Sequence, residues 1–407
     1  MPHKHAIILL GFIIAGVIGG ALAGWFFGPA MQQVAWIGVL FLNLLKMMIV
    51  PLILAAVISG VAALGDVRKL GRLGAATVIY YTVTTAMAVL IGLVMVDFIR
   101  PGVGLGLAAA HAAGAHTTAL HKDLGVGDIL LTLVDPNLVD AAAHTKLLPL
   151  ILFAILFSAA LTTLGERGAH VIAFFEGVND AMMKLVTWIM YLAPAGIFAL
   201  VASRLGKAGG DAFLQQITAV GWHVVTVLSG LGIHLVLLTV VMVFIAGRGL
   251  DYLVGMLRAL FTAFGTASSS ATLPLTMECA RENGVDERSI RFVLPLGSTV
   301  NMNGTALYEA AAAMFIAQAY GIELTLAQQT IVFITATLAA IGAAGVPEAG
   351  LVTMVIVLKS VGLPPEGIGL LLSVDWFLDR FRTAINVWGD AVGAAVIHRY
   401  LPRLLPP

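Results

Sequence analysis

Long apolar runs separated by short polar stretches dominate this 407-residue chain. Many are long enough to cross the roughly 30 Å hydrocarbon core of a bilayer as a helix. Apolar runs predict spans near 6–27, 34–64, 74–99, 126–164 (broken near Pro136), 170–203, 213–247, 288–318 and 366–398. Two further apolar segments, near 252–282 and 327–361, are each interrupted at the centre. Gly265 to Ser270 breaks the first and Gly342 to Gly350 the second, and runs of glycine, proline and serine end helices. Each half is too short to span alone, so each segment predicts a re-entrant hairpin that enters and leaves on one side. Irregular backbone at that depth survives only where it is buried in protein or lines a cavity. The pattern therefore predicts an all-α polytopic membrane protein with eight transmembrane helices and two re-entrant helical hairpins. The order hairpin–helix, hairpin–helix reads as inverted repeats, and paired broken segments of this kind point to a transporter's binding site.

Composition sharpens the picture. The chain is 60% apolar and only 11% charged, which excludes a soluble protein. The formal net charge is zero, so there is no basic surface for nucleic acid. A single cysteine, Cys279, excludes an intramolecular disulfide framework and a cysteine-based metal cage, and it reads as a small inert apolar residue. His3-Lys4-His5 and the apolar run behind them are like a secretory signal, with Ala21-Leu22-Ala23 as a cleavage-like site. The run continues through Trp25-Phe26-Phe27, which predicts an uncleaved first span instead. Lys4, Arg68, Lys69, Arg72, Arg167, Arg248, Arg258, Arg399 and Arg403 fall on one side if the first helix starts in the cytoplasm, so both termini are expected there. Segment 101–125 reads as a flexible outer loop. Its histidines His111, His116 and His121, with nearby His144, have small flanking residues and no helical pairing, which favours a solvated loop over a metal site.

The candidate chemistry concentrates near the C-terminus. At about 100° per residue, Asp375, Asp379, Arg382, Thr383, Asn386 and Asp390 share one helical stripe about 100° wide. Charges inside a membrane face a protein interior or a watery cavity and mark ion and substrate pathways, although structural ion pairing between helices is the plainer alternative. Arg382 presents a planar fork that matches a carboxylate, and Asp379, one turn earlier, matches an ammonium. Together they describe a zwitterion with an extra carboxylate. Arg380 lies off the stripe and is expected to neutralise carboxylates from its flank. Ser268-Ser269-Ser270 puts hydroxyls and N–H groups at a half-helix N-terminus suited to an anion, with Ser270 as the alternative helix cap. The glycine-rich tip 343–350 is the natural lid. Asn301-Met302-Asn303-Gly304-Thr305 predicts an unwound turn whose carbonyls and amides suit a hard cation, with a packing kink as the alternative. Asn386 and Asp390, one turn apart, are placed to share a monovalent cation with it. Glu309, expected to have no adjacent cation, is a candidate proton carrier or a structural residue.

These motifs resemble those of the dicarboxylate/amino acid:cation symporter family. The matches are ASSSATLP at 267–274, NMNGTALYE at 301–309, GAAGVPEAGLVTM at 342–354 and DWFLDRFRTAINVWGD at 375–390, with LLKMMIVPLI at 44–53. The resemblance covers essentially the whole chain, and the last motifs are most similar to the excitatory amino acid transporter and neutral amino acid exchanger branch. In that branch an arginine helping at the site stands on the last helix, as Arg380 does here, whereas archaeal members carry it where this chain has Ala267. The short outer loop is like that of prokaryotic members.

The resemblance implies a substrate site from Ser269, Thr305, Val346, Gly350, Asp379, Arg382, Thr383 and Asn386. It implies one sodium site at Gly297, Asn301, Asn386 and Asp390, and a second at Thr299 with carbonyls of Ala340, Ile341 and Ala343. A third involves Tyr81, Thr84, Thr85, Asn301 and Asn303, where the family usually has aspartate. Glu309 matches the coupled-proton glutamate. The resemblance also implies a homotrimer whose transport domains slide against scaffolds. The expected partition is scaffold 1–72, transport helix and outer loop 73–125, scaffold 126–205, and transport domain 206–407.

The expected function is an ion-coupled importer of glutamate or aspartate in a cell inner membrane, with sodium as coupled ligand and no other cofactor. A neutral amino acid exchanger or a C4-dicarboxylate symporter is the alternative, opposed by Arg382 and Asp379 respectively. An enzyme built on Ser269, Asp390 and Glu309 lacks a histidine or lysine base near the serines. A channel would show filter carbonyls without a zwitterion pair.

Overall fold

The computed structural model describes residues 3–62, 71–105, 134–144, 146–208, 210–341 and 349–404. Every regular element among them is helical. In chain order they are α1 (His3–Phe27), α2 (Ala35–Ala62), α3 (Gly71–Ile99), α4 (Leu138–Ala143), α5 (Leu147–Thr162), α6 (Glu166–Met190), α7 (Ala193–Ala208) and α8 (Gly210–Phe244). Then follow α9 (Leu250–Thr266), α10 (Ser269–Glu282), α11 (Glu287–Val300), α12 (Asn303–Ala319), α13 (Leu326–Ile341), α14 (Ala349–Ser360) and α15 (Ile368–Leu404). Within α3 and α8, Arg72–Ile99 and Leu214–Phe244 are each long and apolar enough to cross a membrane.

Two expected spans are divided. The run 170–203 is cut at Tyr191-Leu192, because Pro194 cannot continue the preceding ladder and instead enters the first turn of α7. In the run 126–164, residues 126–133 lie outside the described residues. Pro136 is non-helical, and a second break falls between α4 and α5. Asn137 caps α4 by accepting from the N–H groups of Val139 and Asp140. His144, expected in a solvated loop, is exposed beside Asp140 at 2.9 Å. His111, His116 and His121 lie outside the described residues.

Helix packing follows the small and apolar residues. α1 lies along α7, and α2 packs on α5, α6 and α7. α3 packs against α8, α12, α13 and α15. α9 and α10 lie side by side, as do α13 and α14. α15 touches α3, α8, α9, α11 and α12, so the charged stripe predicted on it meets protein on several sides. α12 is buried all round: of its seventeen residues only Gln318 is not buried. Such a helix belongs to an interior, and its alanine-rich sequence allows the close approach of neighbours. Cys279 is buried and free.

Candidate functional site

Two breaks and one long helix form the site. The first break lies between α9 and α10. Ala267 takes the left-handed conformation (φ 50°) and ends α9, and Ser268 starts α10 by accepting from the N–H of Ala271. Ser268, not Ser270, is the cap. Its side chain is the one that falls at the extended position preceding the first helical residue. Ser269 is buried in the first turn. The second break lies between α11 and α12, where Asn301 and Met302 leave the helix as the sequence predicts. Residues 342–348, including Ala343 and Val346, lie outside the described residues.

α15 passes both breaks. All six polar residues of its stripe are buried. Arg382 is fully buried and pairs with Asp375 at 3.0 Å and with Asp379 at 2.9 Å. Its guanidinium also lies over the ring of Tyr308, 4.1 Å from the centroid, within cation–π range. The two residues expected to divide a zwitterion between them are thus bonded to one another. Asp375, on the predicted stripe but given no role from sequence, is the second anchor.

Thr305 and Gly350 close in on the same guanidinium. A methyl group at Gly350 would lie 3.0 Å from Arg382 Nη1 and 3.3 Å from Thr305 Cγ2. Gly304 lets α12 approach α15, since a methyl there would sit 2.6 Å from the Arg382 carbonyl oxygen. Asn386 ties the two helices together. Its Oδ1 accepts from the Gly304 N–H at 2.7 Å, and its Nδ2 donates to Thr305 Oγ1 at 3.3 Å. Thr383 turns its hydroxyl back onto the Asp379 carbonyl at 2.8 Å.

Arg380, expected to neutralise carboxylates from the flank, has helix-end carbonyls as its hydrogen-bond partners. It donates to the carbonyls of Phe264 (3.2 Å) and Gly265 (2.8 Å) and so satisfies the C-terminal end of α9. That placement follows physically, because the last carbonyls of a helix lack internal partners and carry partial negative charge.

The candidate cation groups fall into separate clusters. Asn301 Nδ2 donates to Asp390 Oδ1 at 2.9 Å, and a methyl on Gly297 would overlap both Asp390 and the Tyr81 hydroxyl. Gly297, Asn301 and Asp390 therefore meet, while Asn386 is engaged one turn away. Thr85 donates to Asn303 Oδ1 at 2.7 Å. Tyr81 donates to the Val293 carbonyl at 2.7 Å, and Thr84 bonds its own helix backbone. Thr299 donates to the Leu296 carbonyl at 3.0 Å. Ala340 is buried and Ile341 half-buried at the end of α13.

Glu309 is fully buried on α12 and faces Thr353 of α14. Arg382 lies within its electrostatic reach. Sequence reasoning also passed over Tyr308, whose only signal was its place before Glu309. It likewise missed Tyr80, which donates to the Gly389 carbonyl at 3.0 Å, and His223, a lone polar residue in an apolar run.

Broken helices facing a buried charged stripe are the arrangement expected at the binding site of a membrane transporter. The profile of the sodium:dicarboxylate symporter family matches residues 9–400, and the chain belongs to that family. It is 38% identical to an excitatory amino acid transporter of Caenorhabditis elegans, over 97% of this chain and 88% of the relative. It is 38% identical to excitatory amino acid transporter 3 of Mus musculus, over 97% and 84% respectively. The human transporter of that name is 39% identical over 90% of this chain and 79% of its own length. The protein is accordingly a multi-pass membrane transporter and not an enzyme.

Proposed function

We propose that this protein is a secondary active importer of glutamate or aspartate, coupled to cation gradients of sodium, protons or both. The observation that carries the reading is the buried Arg382, held between Asp375 and Asp379 with Thr305 and Gly350 against it. A substrate with an extra carboxylate competes for the guanidinium fork, and its ammonium takes Asp379. The charges are already desolvated and oriented, so exchange of partners costs little reorganisation. Relatives named excitatory amino acid transporters, alike over nearly the whole chain, support the same substrate class.

Ser269, Thr305, Val346, Gly350, Asp379, Arg382, Thr383 and Asn386 form the substrate site in this reading. Sodium ions travel as cargo at Gly297, Asn301, Asn386 and Asp390, and at Thr299 with the carbonyls of Ala340, Ile341 and Ala343. Tyr81, Thr84, Thr85, Asn301 and Asn303 form a weaker third site, and Glu309 carries the proton. The chain forms eight spans and two re-entrant hairpins, with both termini in the cytoplasm of a cell bounded by this inner membrane. Helices of 1–72 and 126–205 make a trimeric scaffold, against which 73–125 and 206–407 move as an elevator.

The test is uptake of labelled aspartate into proteoliposomes under separately imposed sodium, potassium and pH gradients. Native protein should accumulate aspartate when sodium is high outside. Arg382→Cys should lose aspartate uptake and admit serine or alanine. Unchanged aspartate affinity in that variant would refute the assignment.

A further inference from the structure

The two clearest spans meet at a polar hollow that the proposed function does not use. Ile99, Arg100 and Val103 at the end of α3, with Gln215, Thr218 and Trp222 of α8, line a cavity of about 380 Å³. The hollow sits where Arg72–Ile99 stops and Leu214–Phe244 starts, at the depth where hydrocarbon gives way to headgroups. Gln215, Thr218 and Trp222 recur at i, i+3 and i+7 and so share one face of α8. That face runs from an amide and a hydroxyl at the helix end to an indole about 10 Å further in. Trp222 is exposed, and tryptophan is the residue of membrane interfaces.

Arg100 is held toward this hollow at a cost. Its backbone is left-handed (φ 54°), a conformation that a bulky residue rarely adopts. Pro101 follows, and its ring disfavours helical backbone at the residue before it. The packing of the helix end enforces the turn. Gln318 of α12 donates to the Val96 carbonyl and accepts from the Gly102 N–H, both at 3.2 Å. A methyl at Gly102 would lie 2.5 Å from the Phe315 carbonyl oxygen. Gln215 ties the far wall to the same turn by donating to the Gly104 carbonyl at 2.7 Å. Asp97, one turn earlier, is within electrostatic reach of Arg100 but does not line the cavity. Costly backbone fixed by its surroundings marks a site of function. An arginine serving only as a general interfacial anchor needs neither the strained backbone nor the hollow.

We propose that this hollow is a phospholipid site: Arg100 and the Thr218 hydroxyl hold the headgroup phosphate, and an acyl chain descends along Ile99 and Trp222. The guanidinium fork matches phosphate oxygens, and the indole supplies apolar surface on the bilayer side. The inference rests on the chain's place in a membrane and is independent of the substrate it carries.

Lipid-stripped protein in detergent is titrated with phosphatidylglycerol, with diacylglycerol of the same chains and with inorganic phosphate, and followed by native mass spectrometry and melting temperature. One phosphatidylglycerol should bind saturably and raise the melting temperature as it does so. Diacylglycerol should bind about tenfold more weakly, the scale of a charge-assisted hydrogen bond, and inorganic phosphate should leave the melting temperature unchanged. Equal binding of diacylglycerol reduces the site to apolar contact and overturns the proposal. Equal protection by inorganic phosphate makes it a site for a soluble anion and overturns it too. Arg100→Gly relieves the left-handed backbone, so it should melt at or above native without lipid and still bind phosphatidylglycerol about tenfold more weakly. A photoreactive acyl chain on the lipid should label the segment holding Trp222 in native protein and lose that labelling in Arg100→Gly. Native affinity or native labelling in the variant overturns the inference. Should Arg100→Gly fold poorly, Arg100→Lys keeps the charge and Arg100→Gln does not. Tighter lipid binding by Lys than by Gln supports the proposal, and equal binding overturns it.

Discussion

Replacing Asn303 by aspartate adds one charge without changing shape, at a position with no exposed surface. In the native protein the side-chain oxygen of Asn303 accepts from Thr85 at 2.7 Å. The amide nitrogen packs toward Gly389, where a methyl would lie 2.8 Å away. Asn303→Asp keeps the acceptor and exchanges the nitrogen for an anionic oxygen. With no cation bound, a buried unpaired charge costs several kcal/mol. The variant should therefore melt well below native in choline. A bound sodium ion supplies the missing partner, and saturation at about 100 times Kd returns about 2.7 kcal/mol by mass action. Substrate affinity is linked reciprocally to the same ion. The slope of log Kd for aspartate against log sodium concentration should grow by about one for one added coupled ion. Melting curves in sodium and in choline, with aspartate titrations across a range of sodium, measure both effects. An unchanged slope together with equal melting shifts in the two salts would refute the view that residue 303 faces a cation.

Glu309→Gln should erase the response of uptake to an inward proton gradient and leave substrate exchange intact, measured by counterflow at two external pH values; a native pH response would remove Glu309 from the proton route. Gly304→Ala should cost about 1–3 kcal/mol through overpacking against the Arg382 backbone, seen as a lowered melting temperature and weaker aspartate binding. Ser268→Ala should cost about 1 kcal/mol by loss of the α10 cap, whereas Ser270→Ala should leave the melting temperature unchanged.

Much of this architecture is legible in the sequence because a bilayer is a strict solvent. The breaks announce themselves within Gly265 to Ser270 and Asn301 to Gly304, although the helices run further into both stretches than composition suggests and only Ala267-Ser268 and Asn301-Met302 leave them. The stripe on α15 was visible because six polar residues at helical spacing admit one arrangement. Side-chain partners were harder to read. Arg380 lies near carboxylates in sequence, yet folding brings it to the last carbonyls of α9, a partner 115 residues away at Gly265. The cap at Ser268 rather than Ser270 depended on where Ala267 turns left-handed, which three consecutive serines do not disclose. The cut before Pro194 was readable from the proline itself, but the apolar run on both sides concealed it. His223 gave no pattern at all, because a lone histidine in an apolar helix does not disclose that its ring packs on Tyr308 and Phe315.

The all-round burial of α12 has a consequence for biogenesis. A nascent segment enters the bilayer most readily when lipid can surround it. α12 instead begins at an interrupted turn with Asn301 and Asn303, carries Glu309 at its middle, and finds protein on every side in the finished fold. The junction of α9 and α10 likewise holds serines and a left-handed residue, which hydrocarbon would punish. Some of their partners come early, as Thr85 of α3 does for Asn303, but others wait for α15, which supplies Asp390 to Asn301, Asn386 to the Gly304 N–H and Arg380 to the Gly265 carbonyl. A helix made after them therefore completes the settling of α9 and α12, and chains truncated before Asp375 should be marked for degradation rather than retained as partial transporters.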